Sequence, residues 1–104
     1  MELTVLAIPG CPNAPVLDRR LAVVLAGRPE VTVTRQVITD AAEATRWGMH
    51  GSPTLLVNGQ DPFAEPGARP AVACRIYRGE DGRPDGAPTV AALLRVLEQA
   101  GAPG

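Results

Sequence analysis

Cys11 is the residue whose setting promises chemistry. It lies in Pro9-Gly10-Cys11-Pro12-Asn13-Ala14-Pro15, between an apolar run and an amphipathic segment. A cysteine where a strand passes into a helix meets unpaired helix N–H groups and the positive end of the helix dipole. Both favour the thiolate, which is the nucleophile and the soft-metal ligand. Two prolines and a glycine stiffen the turn that presents the sulfur. The competing reading is a small buried cysteine at a strand end.

The other groups able to do chemistry are few. Cys74 alternates with Val72 and Ile76 and is expected to face the core, with a role as resolving thiol as the alternative. His50 is the single histidine, three residues before Pro53. It can bond a thiolate or move a proton, or it can face solvent in a loop, since no carboxylate partner is evident. Asp61 stands in a loop, where an aspartate commonly caps its own turn. Two cysteines and one histidine lack the paired spacing of a zinc site. No glycine motif for phosphate occurs, and no cofactor is expected.

The elements that must position these groups follow from periodicity. Leu3 to Ile8 is almost continuously aliphatic, as in a strand buried on both faces. Leu17, Leu21, Val24 and Leu25 make one helical stripe, stopped by Gly27 and Pro29. Its start is open. Cys11 can cap the helix with Pro12 at the first position, or Asn13 can cap it with Cys11 in the turn before. Val31 to Val37 alternates like a half-exposed strand, and Asp40-Ala41-Ala42-Glu43 has capping-box spacing for a short helix through about Trp47. Thr54 to Val57 reads as a strand with Pro53 at its start, and Asn58-Gly59 as a turn. Residues 60–71, rich in proline, read as an inserted loop. Val72, Cys74 and Ile76 read as a last strand. Val90, Leu93, Leu94 and Leu97 make a final helix capped by Thr89 and stopped by Gly101.

The expected order is β-α-β-α-β-β-α. It predicts an α/β domain over residues 1–104, with a four-stranded mixed sheet and helices on both faces. The last two strands, adjacent in sequence, are expected to form an antiparallel hairpin. That would put Cys74 near Leu56, away from the Pro53 end, and a disulfide needs Cα atoms within about 7 Å.

Composition narrows the function. The chain has 104 residues, 45% hydrophobic and only 3% aromatic, so its core must be aliphatic. Net charge is −1, with ten arginines and no basic run, which speaks against nucleic-acid binding. No apolar run has the length of a membrane span, and the first residues have the wrong flanks for a signal peptide. The expected location is cytoplasmic.

This element order, the Cys-Pro turn after the first strand and Gly51-Ser52-Pro53-Thr54 before the third together resemble the thioredoxin-like superfamily across nearly the whole chain. The resemblance implies that Cys11 is the catalytic nucleophile and that Pro53 is a cis-proline packed beside it. It also implies a substrate groove at Ser52, Pro53 and Thr54, where the backbone pairs with an extended peptide or a small thiol. Gly10-Cys11-Pro12-Asn13, Asp61-Pro62-Phe63 and Cys74-Arg75-Ile76-Tyr77 further resemble a group of small bacterial thioredoxin-like proteins that often carry an alkylmercury-lyase-like label.

The departure is Ala14. It stands where a dithiol oxidoreductase has its second cysteine, so no disulfide can form within the motif. One-thiol chemistry remains, as thiol–disulfide exchange with a small thiol or protein disulfide, or as redox sensing. Two further readings stand beside it. One is an organomercurial or soft-metal handler, which by resemblance would join two sulfurs to a carboxylate such as Asp61. The other is a noncatalytic interaction module.

Overall fold

Leu3, Val5 and Leu6 are sealed from solvent at the centre of the computed structural model, which describes residues 1–101. They belong to β1 (Glu2–Ala7). The chain then turns through Cys11 into α1 (Ala14–Leu25) and returns as β2 (Thr32–Val37), parallel to β1. The short α2 (Ala41–Trp47) follows. Asp40 accepts the Glu43 N–H at 2.8 Å, and the Glu43 carboxylate accepts the Thr39 N–H at 3.1 Å, so the capping spacing is used at its start.

Next come β3 (His50–Ser52) and β4 (Thr54–Val57), separated by Pro53. β4 runs antiparallel to β1, which completes a mixed three-stranded sheet in the order β2-β1-β4. Beyond a 60–70 connection lie β5 (Ala71–Cys74), the small antiparallel pair β6 (Tyr77–Arg78) and β7 (Pro84–Asp85), and α3 (Val90–Gln99).

Alternation along the strands divides the apolar residues between two faces. Leu3, Val5, Leu55 and Val57 pack with Leu17, Leu21 and Val24 of α1 and with Leu93, Val96 and Leu97 of α3. Leu6 and Leu56 point the other way, to Ile38, Met49 and Ala44 of α2. Helices therefore cover both faces of the sheet, two on one side and the short one on the other. Among the described residues no helix is long and apolar enough to cross a membrane.

The expected four-stranded sheet is not formed. β5 does not make a hairpin with β4. It pairs in parallel with β3, matching His50 to Ala71 and Ser52 to Cys74. Two local features explain the difference. After β4 the Asn58-Gly59 turn closes at once, with Val57 and Gln60 exchanging both backbone bonds at 2.7 and 3.1 Å. The chain then carries Pro62, Pro66 and Pro70, none with an N–H to extend a ladder. It regains extended structure only at Ala71, where it pairs with β3.

The expected inward face of the last strand holds at Val72, which packs against the Ile38 and Met49 cluster, and is reversed from Cys74 on, after the β3–β5 register slips by one residue. Cys74 is exposed and Ile76 is 71% exposed, while Tyr77 is buried and Arg75 largely so. A one-residue shift of this kind exchanges the two faces of an extended segment. The interior here receives an arginine, which pairs with the Asp61 carboxylate, and a tyrosine, whose hydroxyl donates to the Pro53 carbonyl.

Candidate functional site

Cys11 sits in the turn between β1 and α1. Its N–H donates to the Ile8 carbonyl at 3.2 Å, and its own carbonyl accepts from Ala14 at 3.4 Å. Asn13, not Cys11, is the residue immediately before the helix, so Cys11 stands outside the helix in the preceding turn. The Asn13 side chain makes no capping bond. It lies against the backbone of Gly86, where an added Cβ would fall 2.3 Å from its Cγ. Arg20 fastens the same face of α1, bonding Asp85 and the carbonyls of Ala87 and Pro88 at 3.0–3.2 Å.

Cys11 is only 7% exposed, yet it lines a cleft of about 280 Å³. Ala7, Ile8, Ala14, Pro15 and Val37 form much of the apolar remainder of that cleft, with Gln36 and Arg35 on the β2 side. A thiol held this way is reached by something small entering the cleft.

The Ser52–Pro53 bond is cis. Ser52 lies beside the cysteine turn, its Oγ accepting the Ile8 N–H at 3.0 Å. Thr54 Oγ1 donates to the Gly51 carbonyl at 2.6 Å and accepts the His50 N–H at 3.1 Å. The side chains of Ser52, Pro53 and Thr54 are all buried. The expected groove along them is closed. The Ser52 carbonyl, which would receive an extended peptide, already accepts the Arg75 N–H at 3.0 Å. The Met49 carbonyl likewise accepts from Ala71 at 2.9 Å. The chain occupies its own edge.

Cys74 is therefore placed differently from the sequence expectation. It pairs with Ser52 at the Pro53 end, not with Leu56, and it is exposed rather than in the core. Both cysteines are free thiols.

His50 and Asp61 come together, so the histidine does have a carboxylate partner, eleven residues away. Nδ1 of His50 lies 2.8 Å from Asp61 Oδ2. Arg75 donates to the same oxygen at 2.6 Å, and the Phe63 N–H donates to Oδ1 at 2.9 Å. Asp61 is thus more than a turn cap. Its carboxylate is 2% exposed and held between the Arg75 guanidinium and the His50 ring. Among the described residues no group of three His, Cys, Asp or Glu side chains is placed to hold a metal ion.

Arg75 and Tyr77 complete the cluster, and sequence reasoning missed both as site residues. The guanidinium also donates to the Phe63 carbonyl at 2.9 Å and lies 4.5 Å from the Tyr77 ring centroid. The Phe63 and Tyr77 rings meet edge to face at 5.8 Å. The Tyr77 hydroxyl donates to the Pro53 carbonyl at 2.5 Å. Burial pushes the Tyr77 hydroxyl far above its ordinary range. The Arg75 cation opposes that rise, and the negative charges of Asp61 and Cys11 add to it. The signal available in the sequence was scarcity. The chain has one Phe, one Tyr and one Trp, and two of these lie in the Asp61-Pro62-Phe63 and Cys74-Arg75-Ile76-Tyr77 segments.

No protein-family model, curated protein or solved structure matches the chain.

Proposed function

We propose that this chain is a thioredoxin-like protein performing one-thiol disulfide exchange at Cys11 with small-molecule thiols and disulfides. The observation that carries the reading is the cleft. Cys11 lines an apolar cavity of about 280 Å³ in a strand-to-helix turn, with Ala14 three residues on and no second thiol in the motif. The order of the first five elements and a cis-proline bonded through Ser52 to the cysteine turn support the fold part of the reading. The occupied β3 edge favours a small substrate over a protein disulfide, because an extended peptide finds its main-chain partners already taken.

The exchange needs only a small disulfide and a small thiol. The Cys11 thiolate attacks one sulfur of a small disulfide, RS–SR. A Cys11–S–S–R bond forms as the S–S bond breaks, and RS⁻ leaves to be protonated by solvent. A second small thiolate then attacks the adduct, releases the Cys11 thiolate and carries R away as a new disulfide.

The test uses a Cys74→Ser background, because an exposed thiol reacts unassisted. Folded protein offered 2-hydroxyethyl disulfide should gain one adduct mass, and Cys11→Ser in the same background should gain none. Adduct formation only after denaturation would make Cys11 a structural thiol and end this reading.

A further inference from the structure

A larger cavity, of about 510 Å³, opens beside β6 and the start of α3 and shares no lining residue with the Cys11 cleft. Its walls include His50, Phe63, Glu65, Ile76, Tyr77 and Arg78. The buried Arg75 also borders it, but that guanidinium is already engaged by Asp61, the Phe63 carbonyl and the Tyr77 ring. Two donor groups remain. His50 uses Nδ1 on Asp61, and its Nε2 has no hydrogen-bond partner among the described residues. Arg78 has no ion-pair partner among the described residues, and its one bond is to the Gly82 carbonyl at 3.3 Å. Beside them stand Phe63 and Ile76, the latter the most exposed large aliphatic side chain described.

An apolar wall next to an unpaired guanidinium and an imidazole suits a molecule with an apolar body and one anionic head. We propose that this cavity binds a small organic carboxylate, its body against Ile76 and Phe63 and its carboxylate between Arg78 and the Nε2–H of His50. In the imidazolium form both ring nitrogens donate: Asp61 fixes the ring by accepting from Nδ1–H, and the Nε2–H is left for the ligand. Glu65 is the opposing feature of the wall. For a plain carboxylate it is repulsive, whereas for a zwitterion it would hold the ammonium. The proposal commits to the plain carboxylate, because the unpaired donors are two and the acid is one. It does not depend on the chemistry of Cys11.

The experiment titrates the intact chain with benzoate at mildly acidic pH and follows the ring proton resonances of His50. As the single histidine, His50 reports on this cavity without ambiguity. A saturable shift with a Kd of roughly 1 mM is the expected scale for so small a ligand. Benzamide, the neutral isostere, should bind several-fold more weakly. Arg78→Ala should weaken benzoate about threefold, the range for a partly solvated charge pair, and Glu65→Gln should tighten it. Both side chains are exposed, so neither variant threatens folding. Equal response to benzoate and benzamide, or unchanged affinity in Arg78→Ala, would overturn the proposal. Weaker benzoate binding in Glu65→Gln would overturn it as well.

Discussion

Asp61 is the hinge of the polar interior. Its carboxylate faces Arg75 at 2.6 Å and His50 at 2.8 Å while almost wholly withdrawn from water. A buried ion pair is costly to break from one side, because the charge left behind is stranded. Arg75→Met should therefore destabilise the fold by about 3 kcal/mol or more, a large part of a typical domain's stability of about 5–15 kcal/mol. Tyr77→Phe removes only the hydroxyl bond to the Pro53 carbonyl and should cost about 1 kcal/mol. Urea unfolding of both variants checks the ranking. A smaller loss for Arg75→Met than for Tyr77→Phe would mean that Asp61 is not held as described. None of this pairing was legible in the sequence. His50 and Asp61 are eleven residues apart, and Asp61 and Arg75 fourteen, across a loop without periodicity. What was legible at this scale was local. The Asp40–Glu43 cap and the turn around Cys11 depend on neighbours a few residues away, and both are formed.

At the scale of elements, the parallel pairing of β3 with β5 decides what can reach the cysteine loop. It depends on Gly51. That residue has φ of +100°, and a Cβ there would meet Arg75 Cβ at 2.9 Å and the Ala73 carbonyl oxygen at 3.2 Å. Gly51→Ala should push the two strands apart, at a cost of about 1–3 kcal/mol from backbone strain. The amides of Ala71 and Arg75, bonded to Met49 and Ser52, should then exchange with solvent faster while those of β1 stay protected. Unchanged protection at Ala71 and Arg75 would show that this pairing does not require a glycine at position 51. The three helices and β1, β2 and β4 were legible from stripes, caps and alternation, although Val37 at the end of β2 is exposed where its alternation with Gln36 predicted it inward; β3 and the β6–β7 pair were not read as strands. β5 was legible as a strand but not in its pairing. Adjacency in sequence suggested a hairpin, and the apolar series Val72, Cys74, Ile76 suggested an inward face. The hairpin gave way to the Asn58-Gly59 turn and the prolines after it, and the inward face beyond Val72 to Arg75 bonding Asp61 and Tyr77 bonding the Pro53 carbonyl.

For the whole molecule, two ion pairs tie the 80–88 segment to the helices behind the sheet. Arg20 of α1 reaches Asp85, and Arg95 of α3 reaches Glu80. Burial raises the Asp85 acid, but the Arg20 bond and the N–H groups of Ala87 and Gly86 outweigh it, so its carboxyl titrates below the ordinary range. The Arg95 and Thr89 hydrogen bonds lower Glu80. The sign follows from linkage. A carboxyl with a depressed folded value stabilises the fold above its unfolded value, and that contribution is lost as pH falls through the folded one. Thermal stability should therefore decline on acidification through and below about pH 4, and Arg20→Met should make that decline shallower. An acid limb as steep in Arg20→Met as in the parent would remove Asp85 from the account.

The outer position of β2 in the order β2-β1-β4 carries a further consequence. An edge strand is a template on which a second chain can polymerise. Along β2, Thr32, Thr34, Arg35 and Val37 are solvent-facing, and Val37 is a large exposed aliphatic side chain. Arg35 is the one charged residue of the strand, held toward Asp18 of α1 at 2.9 Å. Colloidal behaviour at high concentration thus rests on a single guanidinium that guards an otherwise β-prone, uncharged margin.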